Sequence, residues 1–415
     1  MNRSPLLVIF LTVFIDLVGF GIVIPVLPLY AEGSIFHASP RAIGLLLGSY
    51  SIMQLFFTPI LGRMSDKYGR RPVLFMSIIG TGLGFLILGF ARTLWMLFLG
   101  RILDGITGGN ISVAQAYIAD VTTENNRAQG MGIIGAAFGL GFIFGPAIGG
   151  ALSQFGVNVP LLFAAGLCFA NATLLYFVLP ETVTADHPAR VSAAEGRKWS
   201  DIARQLAQPR LRTVALIYFL FILAFSIMTG VFSLYTLYRF NFDAERNGYM
   251  FAFIGIIVAL VQGLLIGRIS RRFNESTLIV YGLLMMVIAL AAFPIISPYF
   301  GGVVALLVIA ALLAVGNSLA TPTLSSLASR SVSARDQGGV LGVIQAVGSL
   351  ARALGPTLGG LLIYSAMGRK RMSDISVYVT FWTAAAITLA GILVAIYFAR
   401  THADSYQTTV TPVEA

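Results

Sequence analysis

Cysteine is almost missing from this chain. Cys168 is the only one in 415 residues, and it lies inside an apolar run. A single chain with one cysteine has no disulfide framework and no cysteine-based metal site. Histidine is nearly as scarce: His37, His187 and His402 fall in loops or in the tail, with no metal-ligand spacing. No metal, no cofactor and no catalytic cluster is therefore expected, and the chain is read as a non-enzyme. Charge is thin as well. Charged residues make up 11% of the chain against 57% hydrophobic residues, too little polar surface for a soluble protein. A net charge of +10 would suit nucleic acid, but the bases are scattered through short loops between apolar runs, which argues against that partner.

What the sequence has in quantity is long apolar runs. About 20 helical residues cross a hydrocarbon core of about 30 Å, and these runs are continuous rather than alternating, which speaks against a barrel. Spans are expected near residues 6–30, 43–62, 73–92, 94–118, 128–152 and 161–180, then 212–238, 248–268, 276–297, 301–328, 338–365 and 377–400. The first run reads as a true span rather than a cleavable signal. The expected fold is an all-α membrane protein with twelve transmembrane helices in two pseudo-symmetric six-helix halves. The halves are residues 1–182 and 212–400, with a linker at 183–211 and a polar tail at 401–415. Most Lys and Arg fall on one side of this arrangement, among them Arg63, Lys67, Arg70, Arg71, Arg268, Arg271 and Arg272. The positive-inside rule then places both termini in the cytoplasm of a plasma or inner membrane. Within the linker, Ser200 can cap a short helix through Gln208 with Trp199, Ile202 and Leu206 on one face. That segment is either a helix on the membrane surface or a plain tether.

One motif occurs twice. Gly145-Pro146-Ala147-Ile148-Gly149-Gly150 is answered by Gly355-Pro356-Thr357-Leu358-Gly359-Gly360. Arg127-Ala128-Gln129-Gly130 precedes the first copy and Arg335-Asp336-Gln337-Gly338 the second. Gly62-Arg63-Met64-Ser65 and Gly267-Arg268-Ile269-Ser270 also correspond. Two like halves suggest a site between them that opens to either side. Around Pro146 the glycines predict a bendable, tightly packed helix. It is no nucleotide fingerprint, since no strand precedes it.

An ionised side chain at mid-membrane costs about 2.5–3.5 kcal/mol on insertion scales, so each needs a reason. Asp16 lies roughly 15 Å into the first span, followed by Gly19, Gly21 and Pro25, with no base at helical spacing. It reads as a proton carrier or cation-binding acid, or else as a carboxyl bonded to a neighbouring helix. Arg101 and Asp104, three apart, share a face and can pair, as a relay or for packing alone. Arg352 suits an anionic ligand, a carboxylate partner or backbone carbonyls. Between spans 2 and 3, Gly62 and Gly69 permit a tight turn holding Asp66, Arg70 and Arg71. There Asp66 can cap a helix or pair with an arginine across the interface, as a latch, or the loop is simply basic. Tyr218, Phe221, Phe225, Met228, Phe232 and Tyr235 form one stripe on span 7, either a cavity wall or a packing seam. Gln54, Asn110, Gln115, Gln262, Asn317 and Gln345 are further polar candidates inside spans.

Taken together these motifs resemble the major facilitator superfamily over nearly the whole chain. The loop from Gly62 to Arg71 resembles the family motif between helices 2 and 3. Arg101, with Gly105 and Gly108, resembles the helix 4 motif, and the run from Gly139 to Gly150 resembles the helix 5 motif of proton-driven antiporters. The first span, from Asp16 to Pro28, is similar to the tetracycline-efflux branch. The resemblance implies a monomeric proton-coupled exporter of small lipophilic or amphipathic compounds, with protons, a small-molecule substrate and the lipid bilayer as partners. On that reading Asp16, Arg101 and Asp104 couple protons. Arg352, the span 7 stripe and the polar candidates bind substrate. Gly62, Asp66, Gly69, Arg70, Arg71, Arg127, Gly145, Pro146, Gly149 and Gly150 gate. Tetracycline exporters also imply acids in helices 3 and 9. Residues 80–85 and 281–286 have none here, so a metal–tetracycline chelate does not carry over. The alternative is an importer or facilitator of an organic anion or other metabolite. A channel or membrane enzyme fits poorly, since nothing resembles a selectivity filter.

Overall fold

In lipid, an apolar run must satisfy its own backbone hydrogen bonds, and a helix does so. The computed structural model describes residues 3–122, 127–183, 208–330, 337–363 and 374–401. Its helices in the first half are α1 (Arg3–Glu32), α2 (Pro40–Tyr68), α3 (Arg70–Gly89), α4 (Leu94–Thr107), α5 (Asn110–Val121), α6 (Arg127–Ser153) and α7 (Val159–Val178). The second half holds α8 (Pro209–Phe240), α9 (Ala244–Leu260), α10 (Ile266–Ile269), α11 (Glu275–Ala292), α12 (Gly302–Ser329), α13 (Gln337–Leu362) and α14 (Asp374–Thr401). Local signals set the starts. Ser39, Thr93 and Asp243 accept from the backbone N–H three residues on, and prolines stand in the first turns of α2, α7 and α8, where their missing N–H costs nothing.

Among the described residues, 10 helical stretches are long and apolar enough to cross a membrane. Two further segments fall where spans were expected: α13, of 26 residues, and the pair α4–α5. The second differs from the continuous span expected at 94–118. It breaks at Gly108 and Gly109, and α5 starts afresh at Asn110. A second irregularity is the π-helical turn Val261–Leu265 between α9 and α10. The expected surface helix at 200–208, except Gln208, lies outside the described residues, as do residues 402–415.

The buried apolar side chains form two clusters. One is drawn from Leu6 through Leu179 with Leu234 added, the other from Leu211 through Phe398. The clusters meet on the face opposite the basic loops, and there the two copies of the repeated motif do matching work. On α13, a Cβ at Gly360 would lie 2.3 Å from the Pro40 carbonyl oxygen, and one at Gly44 of α2 would lie 2.3 Å from that of Pro356. On α6, a Cβ at Gly150 would lie 2.9 Å from the Gly248 Cα of α9. Only glycine allows backbones this close. Gly145, Pro146 and Gly149 press on α1 at Gly21 and Ile22. Toward the basic face the same helix pairs part. Phe56, Ile60 and Met64 of α2 are exposed, and a Cβ at Gly135, Gly139 or Gly342 would meet nothing within 4 Å. The two halves thus form a V that is closed on one face and open on the basic one.

Candidate functional site

The break in the fourth membrane passage is where polar groups gather. Its backbone is satisfied from neighbouring helices, the condition under which irregular backbone survives at membrane depth. Gln54 of α2 donates from Nε2 to the Gly108 carbonyl at 2.9 Å and to Tyr50 Oη at 3.0 Å. The Ser77 hydroxyl of α3 donates to the Thr107 carbonyl. Asn110, the first residue of α5, is fully buried and donates from Nδ2 to Asp16 Oδ1 at 2.8 Å. Asp16 therefore lies beside a helix N-terminus in the middle of the first half, where free backbone N–H groups favour negative charge.

One turn before the break, Arg101 Nη1 meets Asp104 Oδ2 at 2.8 Å, both side chains buried. The spacing of three that predicted this pair is what produces it. The guanidinium also lies 4.3 Å from the Tyr50 ring centroid, a cation–π contact strengthened by burial. Thr81 Oγ1 lies 3.5 Å from Thr107 Oγ1, whose hydroxyl donates back to the carbonyls of Leu103 and Asp104. Asp16, Arg101 and Asp104 are thus brought together, with Asn110 and Gln54 as direct partners in the same network. Tyr50, Ser77 and Thr81 were missed. Tyr50 alone left a trace, since it precedes Gln54 by four residues, one helical turn on the same face.

Across the V, Arg352 of α13 is half-buried. It donates to Ser349 Oγ at 3.1 Å, and its Nη1 and the Tyr218 ring both lie against Gly348. Tyr218 is therefore the stripe residue nearest the candidate centre, and Phe225 is half-buried. The rest of the stripe departs from the cavity-wall expectation. Phe221, Phe232 and Tyr235 have no exposed surface. Tyr235 meets Phe381 edge-on, with ring centroids 5.0 Å apart, and donates its hydroxyl to the carbonyls of Phe293 at 2.7 Å and Ile296 at 3.3 Å. These three are core of the second half, because a hydroxyl already committed to backbone and rings packed on every side leave no face for a ligand. The remaining polar candidates are scattered. Gln115 is half-buried, Asn317 accepts from Thr321 at 3.5 Å, and Gln262 and Gln345 are exposed, Gln262 on the π-helical turn.

The second polar cluster is at the basic face. Gly69 joins α2 to α3 with φ of +112°, a conformation open to glycine. Arg70 is buried and reaches three partners: Asp66 at 2.5 Å, Ser65 at 2.7 Å and Asp120, at the end of α5, at 3.0 Å. Glu181 accepts from the backbone N–H groups of Arg70 and Arg71 at 2.9 and 3.1 Å, and Thr182 donates to Asp120 at 3.1 Å. Arg71 stacks on Tyr176. Asp66 was expected to cap a helix or to pair across the interface. It pairs instead with the arginine four residues along in its own half, because the glycine turn folds α3 back beside it. Gly62 has open space around it. For Arg127 only the helix is described.

Residues 9–356 and 299–413 match the Major Facilitator Superfamily. The tetracycline resistance protein, class D, of Salmonella ordonez is 33% identical over 362 residues, covering 86% of this chain and 89% of that protein. Multidrug resistance protein 2 of Bacillus subtilis (strain 168) is 27% identical over 394 residues, 94% of both chains. Among solved structures, the human organic anion transporter MFSD10 (TETRAN) superposes with a TM-score of 0.67 at 26% identity, covering 95% of this chain and 99% of that one.

Proposed function

Because this chain belongs to the major facilitator superfamily, we propose that it is a proton-coupled exporter of small lipophilic or amphipathic compounds. The observation that carries this reading is Asp16, a mid-membrane carboxyl whose hydrogen-bond partner is the neutral amide of Asn110 rather than a cation. An acid so placed can hold a proton as one stable state and lose it as another. The chain crosses the membrane twelve times in two halves, 1–182 and 212–400, joined by 183–211. It works as a monomer in a plasma or inner membrane with both termini in the cytoplasm, so the basic face is the cytoplasmic one. Asp16 takes a proton from outside and releases it inside in each cycle, and the Arg101–Asp104 pair completes the relay. Arg352 and Tyr218 line the substrate path, and the Arg70 cluster governs the cytoplasmic side. The described V is the inward-open member of an alternating pair.

The test is reconstitution in liposomes holding a pH-sensitive dye, with cationic, zwitterionic and anionic compounds added in turn. Proton movement triggered by a lipophilic cation, and lost in Asp16→Asn, is the expected result. Full uphill pumping by Asp16→Asn overturns the carrier role. A second reading rests on Arg352, a half-buried guanidinium bonded to neutral Ser349 and lying near Tyr218. Compound flux without proton movement, dependent on Arg352, identifies a facilitator of organic anions.

A further inference from the structure

We infer that Asn110 reads the protonation state of Asp16 and that α5 carries the result to the Arg70 cluster, so that a proton at mid-membrane resets the basic face. This rests on the reading of Asp16 as the proton carrier. The first observation is an imbalance in one side chain. Asn110 is 0% exposed and donates from Nδ2 to Asp16 at 2.8 Å, yet its Oδ1 is buried with no hydrogen-bond partner. A buried acceptor is ordinarily paired, so Oδ1 stands ready to accept a bond in another state.

The chemistry of Asp16 says what that state is. An ionised carboxyl only accepts hydrogen bonds, whereas a protonated one also donates. A neighbour that donates to the ionised form and accepts from the protonated one registers the difference, and an amide has one end for each. When Asp16 takes a proton from water, its new O–H donates to Asn110 Oδ1 after a half-turn of the amide about its Cβ–Cγ bond. The proton is the only atom transferred, and it leaves by the reverse step.

The second observation is where this amide sits. Asn110 opens α5, just after a break whose carbonyls are held from the side by Gln54 and Ser77. The other end of the same 12-residue helix carries Asp120, which accepts from Arg70 and Thr182. At 1.5 Å per residue, α5 spans about 18 Å as one rigid piece. One end touches the proton site and the other touches the clasp, and the break separates this piece from α4.

The test is a double-mutant cycle at one pH with no transported compound present. In a Cys168→Ser background, Val121→Cys places a reporter thiol at the exposed end of α5, and its maleimide labelling rate is measured. Asp16→Asn stands in for the protonated acid. With Asn110 in place it should change the rate about tenfold, the scale of one hydrogen bond to a charged group. In Asn110→Leu the same substitution should change it less than about twofold, near the limit of additivity for independent sites. Asn110→Ala fills the same corner of the cycle without a branched side chain at the start of α5. Asn110→Ser, whose hydroxyl both donates and accepts, should restore the response, which a purely structural role for Asn110 would not do. An Asp16→Asn effect of equal size whatever stands at 110, or none with Asn110 present, overturns the inference. Because no drug is present, failure of export in liposomes leaves this outcome unaffected.

Discussion

The two halves share a frame and divide the chemistry. Each contributes a Gly-Pro motif to the closed face, α6 against α9 and α13 against α2, with backbones at glycine-only distances. The polar groups do not follow that symmetry. Asp16, Tyr50, Gln54, Arg101, Asp104 and Asn110 all belong to the first half, while the second half holds an aromatic pack of Phe232, Tyr235, Phe293 and Phe381 beside the connection from α11 to α12. The basic face shows the same divergence with the charges reversed. Arg70 opens α3 and pairs with Asp120 at the end of α5; Glu275 opens α11 and pairs with Arg330 at the end of α12, at 3.5 Å. The first arginine is 5% exposed and the second 68%. A duplicated unit has kept matching contacts between the two halves, while the buried charge network sits in one copy.

The comparison can be broken most severely at the shared frame. Gly360→Val and Gly44→Val each push side chain into a facing backbone carbonyl, and should abolish export in liposomes while Gly342→Val, with open space around it, leaves export near wild type. Spin-label distances across the closed face should lengthen in the first two and not in the third. Next in size is the buried pair. Asp104→Ala leaves Arg101 without its counter-charge, at a cost of about 3–5 kcal/mol, read as a large fall in thermal midpoint in detergent. The reversed clasps should separate cleanly. Arg70→Ala strands the carboxylates of Asp66 and Asp120 and should lower stability by about 1.5–3 kcal/mol, whereas Arg330→Ala should cost under ~1 kcal/mol because that arginine is itself exposed and Glu275 keeps its bond from Ser326. Of similar size is Tyr235→Phe, which removes bonds to two carbonyls and should cost about 1 kcal/mol with transport kinetics unchanged. A change in substrate preference there would return the stripe to the cavity wall.

How much of this was written in the sequence depends on how far apart the partners stand. The apolar runs set the helices, and the spacing of Arg101 and Asp104 set their pair, because both signals are local. The repeat around Pro146 and Pro356 pointed to two halves without saying that each motif faces the other half. The break at Gly108 and Gly109 was hidden because two glycines in an apolar run also read as helix packing. What made them a break is distant: a carbonyl held by Gln54, 54 residues away, and another by Ser77, 30 away. Asp120 and Glu181 were passed over for the same reason. Each lay at the end of a run and looked like a loop residue, until Arg70 met them across 50 and 111 residues. The stripe on α8 was seen as a stripe, but periodicity tells which side chains share a face and not what covers it.

The π-helical turn at Val261–Leu265 changes how the two halves may be laid over each other. Such a turn holds one residue more than the helix needs, and every residue beyond it is swung about 100° around the axis. Gly267-Arg268-Ile269-Ser270 reads like Gly62-Arg63-Met64-Ser65 letter for letter at the glycine, the arginine and the serine. It is nonetheless delivered at a different azimuth, since α2 runs unbroken from Pro40 to Tyr68. The turn behaves as an insertion inside a helix, so removing a single residue between 261 and 265 would bring the two copies back into phase, whereas a deletion elsewhere in a helix would throw its packing face out of register.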